Sequence, residues 1–297
     1  MYDFMKLRNV LLAPYTTYKI GGPADYFFVA RTKEELVKAI TEARQNKVLH
    51  FVLGAGANIL VGDRGFRGLI IKNQGNSIQF EGNKVIVDSG VIVADLIEKT
   101  KEKNLSGFEH YAGIPSTIGG AIWQNLHFLS PDRLSTIFIE SIFDSAEILD
   151  ESNNISRVSK DFFQFGYDQS ILQRRNIIIL EATFSLEPKD KSLIHRQIEE
   201  NLKWRNAKQP QLAQFPSCGS VFRNINGVGA GRLIEKVGLK GYGVGGAQIS
   251  EKHANYIVNL GGAKASDVRS IIKHAQEKVK AETGYSLETE ISFVGEF

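Results

Sequence analysis

The stretch PSCGSVFRNINGVGAGRLIE, residues 216–235, combines a strand, a glycine-rich turn and the start of a helix. Gly219 precedes Ser220, and because glycine has no side chain, another group can approach the backbone closely there. The apolar Val-Phe pair that follows is typical of a strand entering a core, and a short helical run begins at Ala230. We therefore expect Ser220 at the edge of a packed element, where its hydroxyl could give up a proton. The same pattern also fits an ordinary turn.

The composition is that of an ordinary globular protein, with 297 residues of which 42% are hydrophobic and 23% charged. This length suggests about two domains. A net charge of +3 without a run of like charges gives no indication of a nucleic-acid partner. One cysteine and six scattered histidines provide neither a disulfide framework nor the spacing of a zinc site. We expect no bound metal.

The apolar run at residues 10–13 is too short for the core of a signal peptide. No stretch approaches the ~18 apolar residues of a membrane span. Together with the single cysteine, which suits a reducing compartment, these features predict a soluble, cytoplasmic protein without a membrane partner.

A second glycine-rich turn, GAGAN at residues 54–58, directly follows a short strand pattern at residues 50–53. Successive backbone N–H groups of such a turn can bind a phosphate. The spacing differs from the dinucleotide fingerprint, and the chain continues as a strand rather than a helix. A tight turn without a ligand is the commoner structure for such a pattern. Further on, GIPSTIGGA at residues 113–121 is a small-residue segment whose two adjacent glycines leave bare backbone for a planar ring.

Local patterns predict several helices and strands. Thr32 and Glu35 form a capping-box pattern before a helical repeat. A hairpin is expected about the Gly-Asn pair that begins at Gly82. Residues 137–148 indicate two short strands around Asp144, and Ser266 is the predicted cap of a C-terminal helix.

Several longer motifs occur in a fixed order. They are YTTYKIGGPA, LGAGANILVGDRGFRG and GFEHYAGIPSTIGGA in the first half, then CGSVFRN, AGRLIEKVGLKG, GGAQIS, KHANYIVN and LETEISFVG. Together they resemble the UDP-N-acetylenolpyruvoylglucosamine reductase family, the flavoenzymes of peptidoglycan precursor synthesis. The resemblance extends from about residue 16 to residue 295, and the number and order of the motifs make it specific.

The resemblance implies FAD and NADPH as cofactors and UDP-N-acetylglucosamine enolpyruvate as the substrate, reduced to UDP-N-acetylmuramate. It implies an α+β chain with a two-part FAD-binding fold of the vanillyl-alcohol oxidase (PCMH) type and a C-terminal α+β substrate-binding domain. The charged connector at residues 187–191 predicts an FAD-binding domain over 1–188, with subdomains of about 1–75 and 76–188, and a substrate-binding domain over 189–297. The chain resembles the shorter subtype without an inserted tyrosine-bearing loop, and we expect a monomer.

The motifs also assign residues by position. In the family, Ser220 corresponds to the proton donor and Glu290 to the residue that stabilises or protonates an enolate. The residues that would bind FAD lie in the two glycine-rich segments: Gly54, Ala55, Gly56, Ala57, Asn58, Gly113, Ile114, Ser116, Thr117, Gly119 and Gly120. The residues that would bind the substrate are Tyr167, Lys208, Asn224 and His253.

Three departures from the family stand out. Asp168, in the run FFQFGYDQS, occupies the position of a catalytic-site arginine, and LHFLSPDR at residues 126–133 replaces a run of small residues. Ser116 stands where the family usually has glycine. From pattern alone, Asp168 is a solvated turn residue and His127 a partly buried packing residue. Arg174, Arg175 or a residue of the 126–133 loop could supply the missing cation.

These departures leave two alternatives. One is a degenerate paralogue that binds FAD or a UDP-sugar with slow turnover or none. The other is a flavin oxidase of the same fold that acts on free sugars or alcohols. A Ser-His-Asp hydrolase is not supported, because the nucleophile-elbow motif is missing from the sequence.

Overall fold

The computed structural model describes residues 7–225 and 227–297, which form two compact units. Unit I contains residues 7–27, Gly56–Ile70 and the described part of Asn206–Phe297. Unit II contains Phe28–Ala55 and Ile71–Arg205. Both units are discontinuous along the chain, whereas the functional domains predicted from the sequence are continuous segments. The division into FAD-binding and substrate-binding domains stays a prediction.

Helices and strands are interspersed along the described residues. The helices are α1 (Lys33–Gln45), α2 (Val93–Glu102), α3 (Ile118–Gln124), α4 (Lys191–Lys208), α5 (Ala230–Lys236) and α6 (Ala265–Thr283). The strands are β1 (Leu7–Leu11), β2 (Pro23–Ala30), β3 (His50–Leu53), β4 (Ile59–Val61), β5 (Phe66–Asn73), β6 (Ile78–Glu81), β7 (Lys84–Asp88), β8 (Leu105–Ser106), β9 (His127–Leu129), β10 (Thr136–Phe138), β11 (Phe143–Leu149), β12 (Ile155–Ser159), β13 (Ile178–Ser185), β14 (Glu187–Pro188), β15 (Gly243–Val244), β16 (Ala247–Ile249), β17 (Ile257–Asn259) and β18 (Ser292–Val294). In the part of the chain that the structure describes, no helix is both long and apolar enough to span a bilayer.

Unit II is built on a five-stranded antiparallel sheet with the strand order β12-β11-β13-β7-β6. Side chains alternate across it: Val85, Val87 and Phe184 are buried in the core. On the opposite face, Glu147 of β11 forms an ion pair of 2.9 Å with Lys33 at the start of α1. The sheet therefore has one apolar face and one face with charged side chains that meet a helix.

The hairpin predicted in this sheet is confirmed, since β6 and β7 pair about Gly82, whose φ of 59° is in the left-handed region. The capping pattern before α1 is also confirmed, because the Thr32 side chain accepts a hydrogen bond of 3.2 Å from the Glu35 N–H. The prediction of two strands over residues 137–148 is confirmed by β10 and β11, but the expected break at Asp144 is wrong. Asp144 lies inside the single strand β11, and the break falls earlier, at a 3₁₀ turn over Ile139–Ser141.

Unit I has its own apolar core, in which α6 lies against the antiparallel sheet β15-β16-β17. Strand β18 pairs in parallel with β4. Val221 and Phe222 are almost completely buried in this core, and α5 begins at Ala230. The apolar pair and the helical run predicted from residues 216–235 are thus confirmed.

The start of α6 differs from the sequence prediction. Lys264, rather than Ser266, is the N-cap residue, and its N–H donates to Asp267 at 2.9 Å. Asp63, from a distant part of the chain, binds the next two amides. The Asp63 carboxylate accepts hydrogen bonds of 2.7 Å from the Ala265 N–H and 3.0 Å from the Ser266 N–H. A carboxylate forms stronger hydrogen bonds to these amides than a serine hydroxyl, and its charge is favourable at a helix N-terminus.

We expect Asp63→Ala to lower the free energy of unfolding by about 1 kcal/mol, the usual cost of losing a helix cap. Urea titration followed by circular dichroism measures this loss. Asp63→Asn is the matched control, because it keeps one acceptor oxygen and should lose less. Equal stability of the Ala variant and the wild type would contradict the capping role.

The loss should also depend on pH. Burial alone would raise the pKa of Asp63, but hydrogen bonds from Ser266 and Ala265 outweigh it and lower the pKa. A carboxyl group whose pKa is lowered by folding stabilises the protein above its unfolded-state pKa, and this contribution is lost as the pH falls through the folded-state value. The difference between wild type and Asp63→Ala should therefore shrink in acid.

Candidate functional site

The first part of the GAGAN turn contacts the GIPSTIGGA segment within unit II. Gly54 follows β3, and a Cβ atom at this position would collide with the Thr117 hydroxyl oxygen. The Gly54 carbonyl accepts a hydrogen bond from Lys72 Nζ, and burial lowers the pKa of Lys72. The sequence analysis missed Lys72, which lies four residues beyond the motif LGAGANILVGDRGFRG. The structure thus brings together two of the segments that the resemblance assigns to FAD.

The GIPSTIGGA segment is fixed by backbone hydrogen bonds. Thr117 caps α3, with its hydroxyl accepting from the Gly120 N–H at 3.3 Å. The Gly119 N–H donates to the Ser89 carbonyl at 2.8 Å, and a Cβ on Gly119 would lie 3.2 Å from Ser89. These contacts leave little room for side chains at either glycine position.

The departure at Ser116 is accommodated locally. Its hydroxyl donates to the Thr117 carbonyl at 2.9 Å, and its own carbonyl accepts from the Val93 N–H at 2.9 Å. At the beginning of the segment, Gly113 has a φ of 81°, and a Cβ there would lie 2.9 Å from Leu202 Cδ2. Half-buried Ile114 follows it. Serine in place of glycine therefore leaves the backbone of the segment intact.

The second part of the GAGAN turn belongs to unit I. Gly56 has a φ of 65°, and a Cβ on it would lie 2.5 Å from the Tyr15 carbonyl oxygen. The Gly56 carbonyl accepts from the Thr17 N–H at 3.0 Å. After half-buried Ala57, the Asn58 side-chain amide donates to the Glu290 carbonyl at 3.4 Å. The last residue of the turn thus touches the backbone of the predicted catalytic glutamate.

Ser220 and Glu290 lie on neighbouring backbone segments of unit I. The Glu290 N–H donates to the Val221 carbonyl at 2.8 Å. On its other side, the Val221 N–H donates to the Asn255 carbonyl at 2.8 Å. The segment that carries Ser220 is therefore held between the segments of Asn255 and Glu290.

The Asn255 side chain completes this arrangement. Its amide oxygen accepts from the Phe222 N–H at 2.9 Å, and its NH₂ group donates to the Phe222 carbonyl at 2.8 Å. Next to Ser220, Gly219 has a φ of 83°, and no described atom lies within 4 Å of the place a Cβ would take. The sequence analysis missed Asn255; the signal was a polar residue in the run KHANYIVN between a turn and a strand.

The charge of Glu290 affects the pKa of Cys218, which lies two residues before Ser220. Burial raises the pKa of the Cys218 thiol, and the Glu290 carboxylate acts in the same direction. Burial likewise raises the pKa of Tyr18, which faces this thiol. The Glu290 carboxylate is therefore close enough to the segment of Ser220 to influence groups on it.

The predicted phosphate-binding residues of unit I have defined local contacts. Asn224 Oδ1 accepts from the Ala230 N–H at 3.1 Å and so binds the first residue of α5. His253 Nδ1 accepts from the Asn255 N–H at 3.2 Å, and burial lowers the pKa of this histidine. Lys208 is exposed at the last position of α4. Their roles in substrate binding stay predictions.

In unit II, Asp168 is buried, so its interpretation as a solvated turn residue is wrong. It has a φ of 54°, which is typical of a turn, but its side chain is only 1% exposed. His127 Nδ1 lies 3.4 Å from Asp168 Oδ1. The Asp168 carbonyl accepts from Gln173 at 2.8 Å, and Asn125 binds the neighbouring Gly166 carbonyl at 2.9 Å. The acidic residue at the arginine position is thus fixed beside an imidazole.

The His127 ring also packs in an aromatic group, as its interpretation as a packing residue predicted. Its centroid lies 5.1 Å from that of Phe138 and 4.9 Å from that of Tyr167. Tyr167 itself is 44% exposed. Burial lowers the pKa of His127, and the Asp168 carboxylate acts in the opposite direction.

The arginines proposed as replacement cations have other contacts. Arg175 forms two hydrogen bonds of 2.9 Å with Glu151. Arg174 is exposed and binds Gln164 at 3.3 Å. Arg133 lies over the Phe128 ring at 5.6 Å. Arg174 and Arg175 thus have other hydrogen-bond partners, whereas Arg133 Nη1 is buried without one among the described residues.

Comparison with known proteins supports the resemblance. The C-terminal domain of UDP-N-acetylenolpyruvoylglucosamine reductase matches residues 209–294, and an FAD binding domain matches residues 24–149. A UDP-N-acetylenolpyruvoylglucosamine reductase of Caldanaerobacter subterraneus is 39% identical, covering 97% of this chain and 93% of that protein. One from Clostridium perfringens is 37% identical, covering 96% and 91%. The chain belongs to the UDP-N-acetylenolpyruvoylglucosamine reductase family.

A crystal structure of UDP-N-acetylenolpyruvylglucosamine reductase from Thermus caldophilus matches with a TM-score of 0.82 at 31% identity. The match covers 98% of this chain and 100% of that one. The predicted fold class, with an FAD-binding fold and mixed helices and strands, is thereby confirmed.

We expect Gly54→Ala to reduce the FAD content of the purified protein and its thermal midpoint, because the new methyl group collides with the Thr117 hydroxyl. Flavin absorbance and differential scanning fluorimetry measure both effects. Adding Thr117→Ala removes the colliding oxygen and should restore part of the loss. Gly229→Ala is the control, because its nearest neighbour would lie at an ordinary 3.8 Å. Full flavin content in Gly54→Ala would contradict this contact.

Proposed function

We propose that the chain catalyses the FAD-dependent, NADPH-driven reduction of UDP-N-acetylglucosamine enolpyruvate to UDP-N-acetylmuramate in peptidoglycan precursor synthesis. The main support for this proposal is a backbone hydrogen bond in unit I. The Glu290 N–H donates to the Val221 carbonyl, which places the segment of Glu290 beside that of Ser220. A hydroxyl and a carboxyl group fixed on adjacent segments suit a reaction that needs both proton transfer and charge stabilisation. The near full-length similarity to the named reductases supports the same reaction.

The glycine-rich segments fit FAD. The Thr117 hydroxyl packs against the backbone of Gly54, and side chains at Gly56 and Gly119 would meet protein atoms closely, so these glycines let the chain pack tightly around the segments. Such segments allow a phosphate or a flat ring to lie against backbone N–H groups. When bound, FAD supplies the hydride chemistry, and the protein supplies position and proton donors. Lys72, fixed on the Gly54 carbonyl, holds the turn in this shape.

Ser220 and Glu290 have complementary tasks in the proposed reaction. Addition of a hydride to the enolpyruvyl double bond leaves an enolate-like charge beside the substrate carboxylate. Stabilising such a charge is commonly the largest contribution of an enzyme, and the Glu290 carboxyl group does so when it donates a hydrogen bond. Ser220 then gives its proton to the adjacent carbon. The open space beside Gly219 leaves room for a ligand at this hydroxyl.

The substrate phosphates would be bound by Lys208, Asn224 and His253, and Tyr167 would contact the sugar nucleotide. Asn224 is supported by its position against the first turn of α5. His253 is supported by its direct link to Asn255, the residue that fixes the strand of Ser220.

The function is tested by following the two half-reactions of the purified protein without oxygen. Acid precipitation should release a yellow supernatant of free FAD. NADPH should bleach the bound flavin, and UDP-N-acetylglucosamine enolpyruvate should restore its colour. Reduction by an alcohol or free sugar with oxygen consumption would instead identify the oxidase, and a flavin reduced by neither would identify the binding paralogue. A colourless protein that gains no absorbance with added FAD would contradict both flavoenzyme functions and the binding of FAD by a paralogue.

Ser220→Ala should leave reduction of the flavin by NADPH nearly unchanged and slow its reoxidation by substrate by ~10²–10⁴-fold, the usual contribution of general-acid catalysis. Stopped-flow absorbance separates the two half-reactions. Ser270→Ala is the matched control, since this serine is exposed on α6 and its hydroxyl bonds only along the helix. Reoxidation of the Ser220 variant at the wild-type rate would rule out this role.

A further inference from the structure

The segment that carries Ser220 contains one residue more than the segment opposite it. The Asn259 N–H donates to the Pro216 carbonyl at 2.8 Å, and Ser220 forms an antiparallel bridge with Tyr256. Three residues separate Pro216 from Ser220, but only two separate Tyr256 from Asn259. The extra residue makes a β-bulge, and Gly219 has the left-handed φ of 83° that is typical of one form of bulge. Such a bulge disrupts the ladder and leaves backbone groups of the extra residue unpaired.

The segment on the other side of Ser220 leaves this bulge uncovered. The Glu290 N–H donates to the Val221 carbonyl at 2.8 Å, so the two segments pair up to this point. Two residues later, the Ser292 N–H donates to the Asn58 carbonyl at 3.0 Å, and β18 pairs with β4 instead. The chain that would have continued the pairing along the bulge has therefore turned away from it.

The backbone N–H groups of Gly219 and Ser220 remain available to a ligand as a result. Neither donates a hydrogen bond to any residue that the structure describes. Both residues are partly exposed, and no described atom lies within 4 Å of the place a Gly219 Cβ would take. Successive N–H groups in such turn conformations form concavities that bind anions. The bulge thus has the chemistry of a small anion site.

The position of these amides matches the charge that develops in the proposed reaction. Addition of a hydride to the terminal carbon of the enolpyruvyl group forms a C–H bond there and moves the electron pair of the double bond towards the carboxylate. That pair then forms a bond to the proton of Ser220, on the carbon that bears the carboxylate, and the serine oxygen keeps the electrons of its O–H bond. Because the carboxylate is attached to the carbon that Ser220 must reach, it comes close to the N–H groups beside this hydroxyl.

We propose that the N–H groups of Gly219 and Ser220 form an anion site that binds the carboxylate of the enolpyruvyl group and stabilises its growing charge. The inference rests on the proposed function, and all the residues that form the site belong to unit I. Carboxylate oxygens that gain charge bind fixed N–H donors more strongly in the transition state than in the bound substrate, and this difference accelerates the reaction. The Glu290 carboxyl group, on the neighbouring segment, acts on the same charge when it donates a hydrogen bond.

Nuclear magnetic resonance can observe the two amides directly in FAD-loaded protein labelled with ¹⁵N at glycine and serine. UDP-N-acetylmuramate carries a carboxylate next to the former double bond, whereas UDP-N-acetylglucosamine lacks this group. We expect the amide protons of Gly219 and Ser220 to shift to lower field with the first nucleotide and much less with the second. The amide of Gly238 is the internal control, because it already donates to the Glu235 carbonyl at 3.0 Å.

Gly219→Ala places a methyl group in the open space beside these amides. Reoxidation of the flavin by UDP-N-acetylglucosamine enolpyruvate should slow by ~10²–10³-fold, the usual effect of removing one oxyanion donor. Affinity should fall for UDP-N-acetylmuramate but not for UDP-N-acetylglucosamine, which a general loss of structure would not produce. Isothermal titration calorimetry measures both affinities.

Gly238→Ala is the matched control for backbone strain. Gly238 has a φ of 70°, and no described atom lies within 4 Å of its Cβ position either. An alanine in this left-handed conformation should lower the thermal midpoint, as Gly219→Ala does, while reoxidation keeps the wild-type rate. If Gly219→Ala does not fold, the amide shifts in the wild type decide.

The outcomes separate this inference from the proposed function. If the substrate reoxidises the wild-type flavin but the two amides respond equally to both nucleotides, the anion site is refuted and the function stands. Reoxidation of Gly219→Ala at the wild-type rate would refute the site as well. If the amides respond to the carboxylate but the enolpyruvyl substrate does not reoxidise the flavin, the site is supported and the proposed function fails.

Discussion

The side-chain amide of Asn255 forms a pair of hydrogen bonds with the backbone of Phe222, and the candidate catalytic segment of unit I depends on them. The strand around Ser220 is too short to form a regular sheet, and its bridges to Tyr256 and Thr289 are isolated. Buried backbone N–H and C=O groups need partners, and an asparagine side chain offers one donor and one acceptor in the right spacing. The segments of Ser220 and Glu290 can therefore lie side by side without an extended ladder between them.

The glycines of the motifs have two different structural roles. Gly219 has a positive φ, which is unfavourable for most other residues, and it leaves open space next to the serine. Gly54 and Gly56 are required for the opposite reason, because neighbouring atoms occupy the places of their side chains. One glycine thus keeps space for a ligand, while the other two allow the chain to close around the turn.

Local sequence patterns predicted much of the fold because they reflect local physics. The hairpin at Gly82, the cap of α1 at Thr32 and the buried pair after Ser220 depend on neighbours within a few residues. The contacts of Asp63 with the start of α6 could not be predicted in this way, since Asp63 is 202 residues from Ala265. Ser266 satisfied the local rule, but a distant carboxylate bound the same amides.

Asp168 shows the same limit within the candidate site. The pattern correctly indicated a turn, because aspartate tolerates the left-handed conformation that the structure has there. It could not indicate burial, which depends on His127 and on the loop that carries it. The contact between His127 and Asp168 in unit II could therefore be found only in the folded chain, whereas the candidate residues of unit I were predicted through their motifs.

Aspartate at position 168 changes the electrostatics of this part of unit II. A guanidinium is charged at every relevant pH, whereas an imidazole is charged only when it binds a proton. Burial lowers the pKa of His127, and the carboxylate of Asp168, 3.4 Å away, acts in the opposite direction. The charge of this contact therefore depends on pH, whereas that of an arginine would not.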